Sequence, residues 1–309
     1  MDSPARLREA QPRREDPLPN DGAIHQGGSR FGTTQVTGGW ALQGNFVGLT
    51  INSTAPARPD YAGLFSHSSL GPVKAFVPRP LLHTQIREQL RGDNGNDNNA
   101  KKVLVVWGLG GAGKTQLVLN YVQQCRNDYH ATFWIEAGQK ESLERDFILL
   151  YKTLFRVQIG SETRTVSVED AVLGVKSWFS SRPGSWLMVF DGADVIEKRD
   201  SAGYIDIKHF IPDAPSLHVI ITSRSSTAKD MTPLAGVAVG EMEVAQAAEL
   251  FYRSSQVQRD DEEVDSEVES IVRELGYLAL AVILAATYVS RTPRLQSDIK
   301  AYLPEYKQR

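Results

Sequence analysis

The stretch that most constrains the fold of this chain is a glycine-rich loop at residues 108–115. It reads Gly-Leu-Gly-Gly-Ala-Gly-Lys-Thr and fits the pattern G-x-x-x-x-G-K-[ST] without a mismatch. The apolar run at 103–107 before it predicts a buried parallel strand, and residues 116–126 after it predict a helix. A strand, a glycine-rich loop and a helix in this order predict a phosphate-binding loop. The alternative is a glycine-rich turn that carries a lysine by chance, and the flanking strand and helix disfavour it.

The residue types in this loop match what the phosphate groups of a nucleotide need. Glycines let the backbone curl so that several N–H groups face phosphate oxygens, and the following helix adds the positive end of its dipole. We expect Lys114 to reach the β- and γ-phosphates and the Thr115 hydroxyl to ligate Mg²⁺. The predicted cofactors are therefore ADP or ATP and Mg²⁺. The predicted contacts in the loop are Gly108, Gly110, Gly111, Ala112, Gly113, Lys114, Thr115 and Gln116.

Composition narrows the class of protein. The chain has 309 residues, 41% of them apolar, and a net charge of −3, which argues against strong attraction to DNA or to an anionic membrane. The single cysteine, Cys125, excludes an internal disulfide and is interpreted as an apolar core residue. The most apolar run, residues 277–289, is too short to span a bilayer, and the polar N-terminus shows no secretory signal. These features predict a cytoplasmic protein with no nucleic-acid partner and no stable membrane insertion.

Composition also changes along the chain, and the changes predict five regions. Residues 1–20 are rich in proline and charge and are predicted to be a disordered tail. Residues 21–54 are rich in Gly, Thr, Asn and Gln, and 55–72 resemble a proline-containing linker. Residues 73–240 are predicted to form a nucleotide-binding domain, and 241–309 a small helical domain.

The order of strand and helix signals predicts the fold class. Apolar runs predict strands at 103–107, 131–136, 186–191 and 218–224. Helical spacing of apolar residues predicts helices at 116–126, 141–155 and 168–180, and then at 244–254, 262–275 and 278–290, with a short additional one at 297–302. Alternating strands and helices predict an α/β fold with a doubly wound parallel sheet, followed by the helical domain.

A carboxylate near Mg²⁺ would complete the site. Asp191 ends a buried apolar strand and is the candidate, because its charge could hold the ion directly or through water. The alternative is an aspartate that caps the turn after the strand. Many P-loop ATPases place a second carboxylate directly after this one, but here that residue is Gly192. Asp194 is a weaker candidate for activating water, so we expect slow hydrolysis or none.

The next predicted strand ends in a base, Arg224. A guanidinium at this edge of the sheet could bond the γ-phosphate and so distinguish ATP from ADP. The alternative is an arginine at the sheet edge paired with a surface acid.

Taken in order, these segments resemble the NB-ARC nucleotide-binding domain of the STAND class of signal-transduction ATPases, which includes the fungal NOD-like receptors. The resemblance covers residues 76–309. It implies that the backbone at Val77 meets the adenine edge and that Arg79 approaches the phosphates. The segments that carry it are Phe76-Val77-Pro78-Arg79, 108–115, 133–137, 186–194 (W-L-M-V-F-D-G-A-D), 221–224, 233–251 and Gly276-Tyr277-Leu278-Ala279-Leu280-Ala281.

The chain departs from the family pattern at two points. Ala279 replaces the proline of the family's G-L-P-L motif, which normally packs near adenine, and this weakens the expected contact. The sequence also ends at Arg309, where the family continues into a winged-helix subdomain and sensor repeats. We expect either a fragment or a natural short member.

Residues 30–51 carry a second, shorter resemblance. They read R-F-G-T-T-Q-V-T-G-G-W-A-L-Q-G-N-F-V-G-L-T-I, with low charge, no proline and Asn and Gln residues that can form ladders. The stretch is similar to the prion-forming motifs of HET-s-type signalling amyloids in fungi, which implies a downstream effector with a matching motif. The alternative is a flexible glycine-rich tail or a single local hairpin.

Three functions are compatible with these patterns. The first is a switch in signalling, such as innate defence, incompatibility or programmed cell death, in which exchange of ADP for ATP permits self-association. Gly192 and the predicted helical domain favour it. The second is a P-loop ATPase with real turnover, which would need a catalytic carboxylate and finds only Asp194. The third is a STAND-type transcription regulator, which would need a helix-turn-helix or a basic face, and neither is visible.

Overall fold

A computed structural model describes residues 73–92, 101–155, 166–196, 203–215, 217–259 and 262–308, together with the backbone of three short strands at His25–Gln26, Ser29–Arg30 and Leu64–Phe65. The chain divides into two units, Met1–Asp60 and Tyr61–Arg309. In the first unit β1 (His25–Gln26) and β2 (Ser29–Arg30) pair antiparallel, with His25 opposite Arg30. The predicted disordered tail and the motif at 30–51 otherwise lie outside the described residues.

The second unit is built on a six-stranded sheet in which every neighbouring pair is parallel. The strand order is β3-β5-β6-β7-β4-β8. The strand before the phosphate loop, β4, therefore lies beside β7, and β7 separates it from β6. The strands are β3 (Leu64–Phe65), β4 (Lys102–Trp107), β5 (Ala131–Glu136), β6 (Trp186–Asp191), β7 (Leu217–Ser223) and β8 (Val237–Ala238).

Helices cover both faces of this sheet and continue beyond it. Val105, Phe133 and Phe190 face one hydrophobic cluster with α3 and α4, and Val106 and Trp134 face another with α1 and α2. Alternate residues of each strand thus point to opposite faces, and both faces are covered, as parallel sheets require. The helices are α1 (Pro80–Arg91), α2 (Lys114–Gln124), α3 (Lys140–Phe155), α4 (Val168–Ser180), α5 (Ile207–Phe210), α6 (Val244–Ser255), α7 (Glu262–Glu274), α8 (Ala279–Ser290), α9 (Pro293–Ser297) and α10 (Tyr302–Lys307).

The last five helices enclose a separate hydrophobic cluster. Phe251 on α6, Ile271 on α7 and Val282 on α8 are fully buried in it. Helix α6 begins with a capping box, because the Glu243 side chain accepts from the backbone and the Gln246 side chain accepts from the Glu243 N–H. Val77, which precedes α1 in the sequence, is also buried in this cluster.

The predicted α/β fold class with a parallel sheet is confirmed, and so is the helical character of the part of the chain after Glu243. Three elements differ from the prediction. Helix α1 was not predicted, although Pro80 stands at its start and Ile86 and Leu90 are fully buried one turn apart. Strands β3 and β8 have two residues each, too few for a periodic signal. In place of one short helix at 297–302, the chain forms α9, a 3₁₀ turn and α10.

Strand β3 lies within the stretch predicted as a linker. Leu64 pairs with Ala131 and Phe65 with Thr132, so the segment adds an edge strand to β5. Without β3, the outer edge of β5 would have unpaired N–H and C=O groups. A short extended segment can pair with these backbone groups whatever its side chains are, so the sequence carries no clear signal for it. The other boundaries of the five predicted regions remain predictions.

Candidate functional site

The candidate site forms where the carboxyl ends of β4, β6 and β7 meet. Asp191 is the last residue of β6, and Thr115 lies in the first turn of α2. The Thr115 hydroxyl donates to the Asp191 carboxylate, at 2.9 Å from Oδ1 and 3.1 Å from Oδ2. The structure thus brings together the two residues that the sequence predicts as Mg²⁺ ligands, although 76 positions separate them along the chain.

Sequence reasoning missed a third residue of this cluster, Thr222. Its hydroxyl donates to Asp191 Oδ1 at 2.6 Å and accepts from the Gly192 N–H at 2.8 Å. Thr222 is 1% exposed and lies on β7, which separates the other two strands. A buried threonine within an apolar strand was the available signal. Its partners followed only from the strand order, which the sequence does not show.

The phosphate loop needs glycine at the positions where its backbone bends. Gly111 and Gly113 have φ angles of 81° and 94°, in the left-handed region that disfavours other residues. A Cβ at Gly111 would lie 2.8 Å from the Leu280 Cβ, so a side chain there would collide with α8. Gly108 has φ 153°, and a Cβ there would lie 2.1 Å from the Val239 carbonyl oxygen. The loop is therefore bent and closely packed on both sides.

Lys114 folds back over this loop. Its ammonium donates to the carbonyl oxygens of Gly108 at 2.9 Å and Leu109 at 3.0 Å. Burial lowers the pKa of Lys114 below its usual range, the carboxylates of Asp194 and Asp191 act in the opposite direction, and the positive charge of Arg224 adds to the lowering. A lysine held in this way is a point charge that an incoming phosphate group can draw from the carbonyls.

Arg224 directly follows β7 and pairs with Asp194. One carboxylate oxygen accepts from the Arg224 backbone N–H at 2.7 Å, and the other accepts from Nε at 2.6 Å. The arginine side chain is 66% exposed and the aspartate side chain 22%. The guanidinium stem also passes the phosphate loop, since a Cβ at Gly110 would lie 3.7 Å from Arg224 Cδ. Both residues therefore lie at the same edge of the sheet as Asp191.

Residues 76–79, which the resemblance places near adenine, contact the helical part of the chain. Val77 is buried among the helices. The Arg79 guanidinium donates to the carbonyl oxygens of Gly240 at 3.0 Å and Glu241 at 2.7 Å, and burial lowers its pKa although Glu243 acts in the opposite direction. Arg79 thus ties its segment to the chain just before α6.

Helix α8 begins against the phosphate loop. The Leu280 N–H donates to the Gly111 carbonyl oxygen at 3.0 Å, and a Cβ at Gly113 would lie 3.9 Å from that of Ala279. The structure therefore places Ala279 beside the phosphate loop. Two further residues predicted to contact the nucleotide, Ala112 and Gln116, make contacts within the protein. Ala112 is buried among the apolar residues behind the loop, and the Gln116 side chain accepts from the Val73 N–H at 3.0 Å.

The residues present fit a nucleotide with Mg²⁺. The loop would expose N–H groups at the start of α2, and the hydroxyl and carboxylate of Thr115 and Asp191 are hard oxygen ligands side by side. Among the described residues no group of three or more His, Cys, Asp and Glu side chains could hold a metal ion. A single carboxylate with a hydroxyl suits Mg²⁺, which takes its remaining ligands from phosphate and water.

No helix in the described ranges is long and apolar enough to cross a membrane. No protein-family model matches the chain, and no curated protein sequence matches it. The solved structures do give matches.

The chain is similar to a chain of the Drosophila ORC structure bound to DNA, with a TM-score of 0.50 and 17% identity over 84% of this chain and 67% of that chain. It is also similar to Cdc6p from Pyrobaculum aerophilum, with a TM-score of 0.49 and 12% identity over 72% of this chain and 66% of that chain. A STAND protein with a tetratricopeptide repeat sensor from Pyrococcus horikoshii gives a TM-score of 0.40 and 16% identity over 70% of this chain and 30% of that chain. At these identities the likeness concerns the fold alone, an α/β fold around a parallel sheet.

Proposed function

We propose that this chain is an ADP- and ATP-binding molecular switch of the NOD-like-receptor type, in which nucleotide exchange permits self-association. The observation that carries the proposal is the meeting of Lys114, Thr115, Asp191 and Arg224 at one edge of the sheet. Four residues from three parts of the chain converge there with the charges and hydrogen-bonding groups that a nucleoside triphosphate needs.

Each of these residues would have a separate task. The loop N–H groups and Lys114 would bind and neutralise the phosphates. Thr115 and Asp191 would hold Mg²⁺, whose positive charge would offset the negative charge of the phosphates. Thr222 keeps the Asp191 carboxylate turned towards Thr115 through its 2.6 Å hydrogen bond. The adenine end would lie towards Val77 and the start of α8, as the family resemblance implies.

Two features favour a switch over an ATPase with fast turnover. Gly192 follows Asp191 and has no side chain to polarise an attacking water. The remaining acid, Asp194, is engaged by the backbone and the side chain of Arg224. Because both of its oxygens are already engaged, this carboxylate has little freedom to orient an attacking water.

The contact between α8 and the phosphate loop gives the switch a route to the rest of the molecule. The Leu280 N–H bonds the Gly111 carbonyl, so a change in loop conformation must act on α8 and on the helical cluster behind it. A nucleotide can shift such an arrangement only as far as its affinity differs between the two conformations.

The test is to release and identify the nucleotide that copurifies with the chain and to measure its turnover. We expect bound ADP and at most slow phosphate release. Lys114→Ala removes the charge that faces the β- and γ-phosphates, so most of the affinity for both nucleotides should be lost. Equal affinity of the wild type and this variant would contradict the proposed site, and several turnovers per second would favour the ATPase alternative.

The signalling part of the proposal concerns residues 21–54. We infer that this segment acts after self-association, by stacking into a cross-β template for an effector that carries a matching motif. Its composition and its position before a P-loop domain support this.

The DNA in the Drosophila structure is a ligand of that protein, and we do not extend it to this chain. The net charge of −3 favours no nucleic-acid partner here, and a titration with labelled duplex DNA at low salt would test this.

A further inference from the structure

The pair formed by Asp194 and Arg224 has a geometry that a casual surface ion pair lacks. Both carboxylate oxygens bond the same residue, one to its backbone N–H at 2.7 Å and one to its Nε at 2.6 Å. The backbone bond fixes the carboxylate at the end of β7 whatever the arginine side chain does. The aspartate is therefore a permanent feature of this edge, and the guanidinium is its mobile partner.

The guanidinium is also placed to exchange that partner. Its side chain is 66% exposed and its stem lies beside the phosphate loop at Gly110. Within the described part of the chain, its terminal nitrogens make no hydrogen bond, so the only acceptors it has are those of Asp194. A γ-phosphate at the loop would offer a second anion to the same cation, and ADP has no γ-phosphate to offer.

We propose that Asp194 is a built-in counter-anion that holds Arg224 when no γ-phosphate is bound and thereby biases the site towards ADP. This inference rests on the proposed nucleotide-binding function. ATP must share Arg224 with the carboxylate or displace the carboxylate from it. ADP has no γ-phosphate to compete for this cation. Asp194 is thus a specificity-determining residue that acts through Arg224, and the expected sign of its effect is opposite to that of a catalytic base.

Removing the charge of Asp194 should therefore favour ATP. Asp194→Asn keeps one oxygen for the backbone N–H but removes the negative charge and turns an amide towards Nε. The ratio of ATP to ADP affinity should rise about fivefold, because an exposed charge pair is worth up to about 1 kcal/mol. Affinities for ADP and for an ATP analogue with a non-hydrolysable β–γ bridge would be measured by calorimetry on the full chain with Mg²⁺.

The chain offers a matched control at the end of a neighbouring strand. Asp146 accepts from the Glu136 backbone N–H at 2.9 Å through one oxygen and from Arg145 through the other. Its side chain is 20% exposed, close to the 22% of Asp194. Asp146→Asn changes the net charge equally and removes the same kind of contact, but at the end of β5, three places from β4 in the sheet. It should leave the affinity ratio unchanged.

A double variant tests the route through Arg224. Arg224→Ala alone should weaken the ATP analogue more than ADP, and adding Asp194→Asn to it should then have little further effect. The inference is wrong if Asp194→Asn alone lowers the ratio of ATP to ADP affinity or leaves it unchanged. It is also wrong if Asp194→Asn raises this ratio by the same factor in the Arg224→Ala background. Loss of phosphate release at an unchanged ratio would also overturn it and make Asp194 catalytic. If the wild type binds neither nucleotide, the proposed function fails and this inference fails with it.

Discussion

At the scale of single residues, the sequence predicted the side chains expected to contact nucleotide and Mg²⁺ but not the hydrogen bond that orients Asp191. Lys114, Thr115, Asp191 and Arg224 belong to motifs that are recognisable from residue type and spacing. Thr222 lies in the segment 221–224 that carries part of the family resemblance, but its bond to Asp191 depends on β7 lying between β4 and β6. Hydrogen bonds between strands that are distant in sequence depend on packing, and no local pattern encodes that packing.

Thr222→Val tests this residue. The change removes the 2.6 Å bond to Asp191 and leaves the Gly192 N–H without its acceptor. Since the site is buried, we expect the free energy of unfolding to fall by about 1–3 kcal/mol and Mg²⁺-dependent nucleotide affinity to fall with it. Urea unfolding and calorimetry would measure the two effects.

Thr132 provides the matched control for this substitution. It is also 1% exposed on a strand of the same sheet, but its hydroxyl has no hydrogen-bond partner among the described residues. Thr132→Val should therefore be neutral or stabilising, because it removes a buried polar group that gains nothing in the fold. Equal destabilisation by both substitutions would show that the contacts of Thr222 contribute nothing beyond its volume.

A second residue-scale prediction concerns His218, at the opposite end of β7. Burial lowers its pKa from 6.5 to about 4, with smaller contributions from the positive charges of Lys102 and Arg91. The ring bonds the Tyr129 hydroxyl at 2.8 Å. Because the folded pKa lies below the unfolded one, the unfolded chain binds more protons between these values, and acid favours unfolding.

Stability should therefore be unaffected by His218 above pH 6.5 and should fall as the pH drops from 6.5 towards about 4. The loss over this range should be on the order of 3 kcal/mol. Urea midpoints at a series of pH values would measure it. In His218→Phe the slope should become shallower, even though the Tyr129 hydroxyl loses a partner. His83, whose pKa burial also lowers, would account for part of the remaining slope.

At the scale of elements, the long buried strands and most of the helices were predictable, whereas the two-residue strands and helix α1 were not. The apolar runs at 131–136 and 186–191 coincide with β5 and β6. Strands buried on both faces are continuous apolar runs, so their ends are marked by the first polar residue. The two residues of β8 carry no such signal, and they pair with β4 only because its outer edge is open.

The start of α8 carries the element-scale prediction. Ala279 is the first residue of the helix, and Leu278 before it has φ −79° and ψ 119°. Proline is favoured at this first helical position, and the residue before it already has the extended backbone that a proline requires. The family motif that this segment resembles has a proline here. The neighbouring Leu280 N–H would keep its bond to Gly111.

Ala279→Pro should therefore raise the free energy of unfolding by about 0.4–1 kcal/mol, because it restricts the unfolded chain without straining the folded one. Ala279→Gly is the matched control and should lower it, since glycine gives the unfolded chain more freedom. Denaturant unfolding of the two variants beside the wild type would measure both. A loss of stability in the proline variant would mean that the start of α8 does not have the backbone described here.

At the scale of the whole molecule, the proposed function requires that nucleotide state controls self-association. Alternating strands and helices predicted the α/β fold, but the strand order that places β7 between β4 and β6 did not follow from the sequence. The order of the strands in the sheet depends on how the apolar faces of strands and helices pack together. This packing is a property of the whole folded chain and not of any single segment. Association between copies likewise depends on surfaces that exist only in the assembled chain.

The last prediction joins the nucleotide site to the segment at residues 21–54. Association of the nucleotide domains would raise the effective concentration of this segment, and stacked copies would then give every backbone N–H and C=O a partner in the next layer. With the non-hydrolysable ATP analogue and Mg²⁺, light scattering should detect assembly and an amyloid dye should then bind. ADP should give neither signal, and Lys114→Ala should give neither with any nucleotide.

Phe46→Asp separates the two steps. Stacked aspartates would repel one another in every layer, so this variant should still assemble with the ATP analogue but should not bind the dye. Leu18→Asp places the same side chain outside the segment and should behave as the wild type does. If dye binding is equal in ADP and the ATP analogue, or is unchanged by Phe46→Asp, then residues 21–54 do not transmit the state of the nucleotide site. The proposed switch would in that case act through another surface of the molecule.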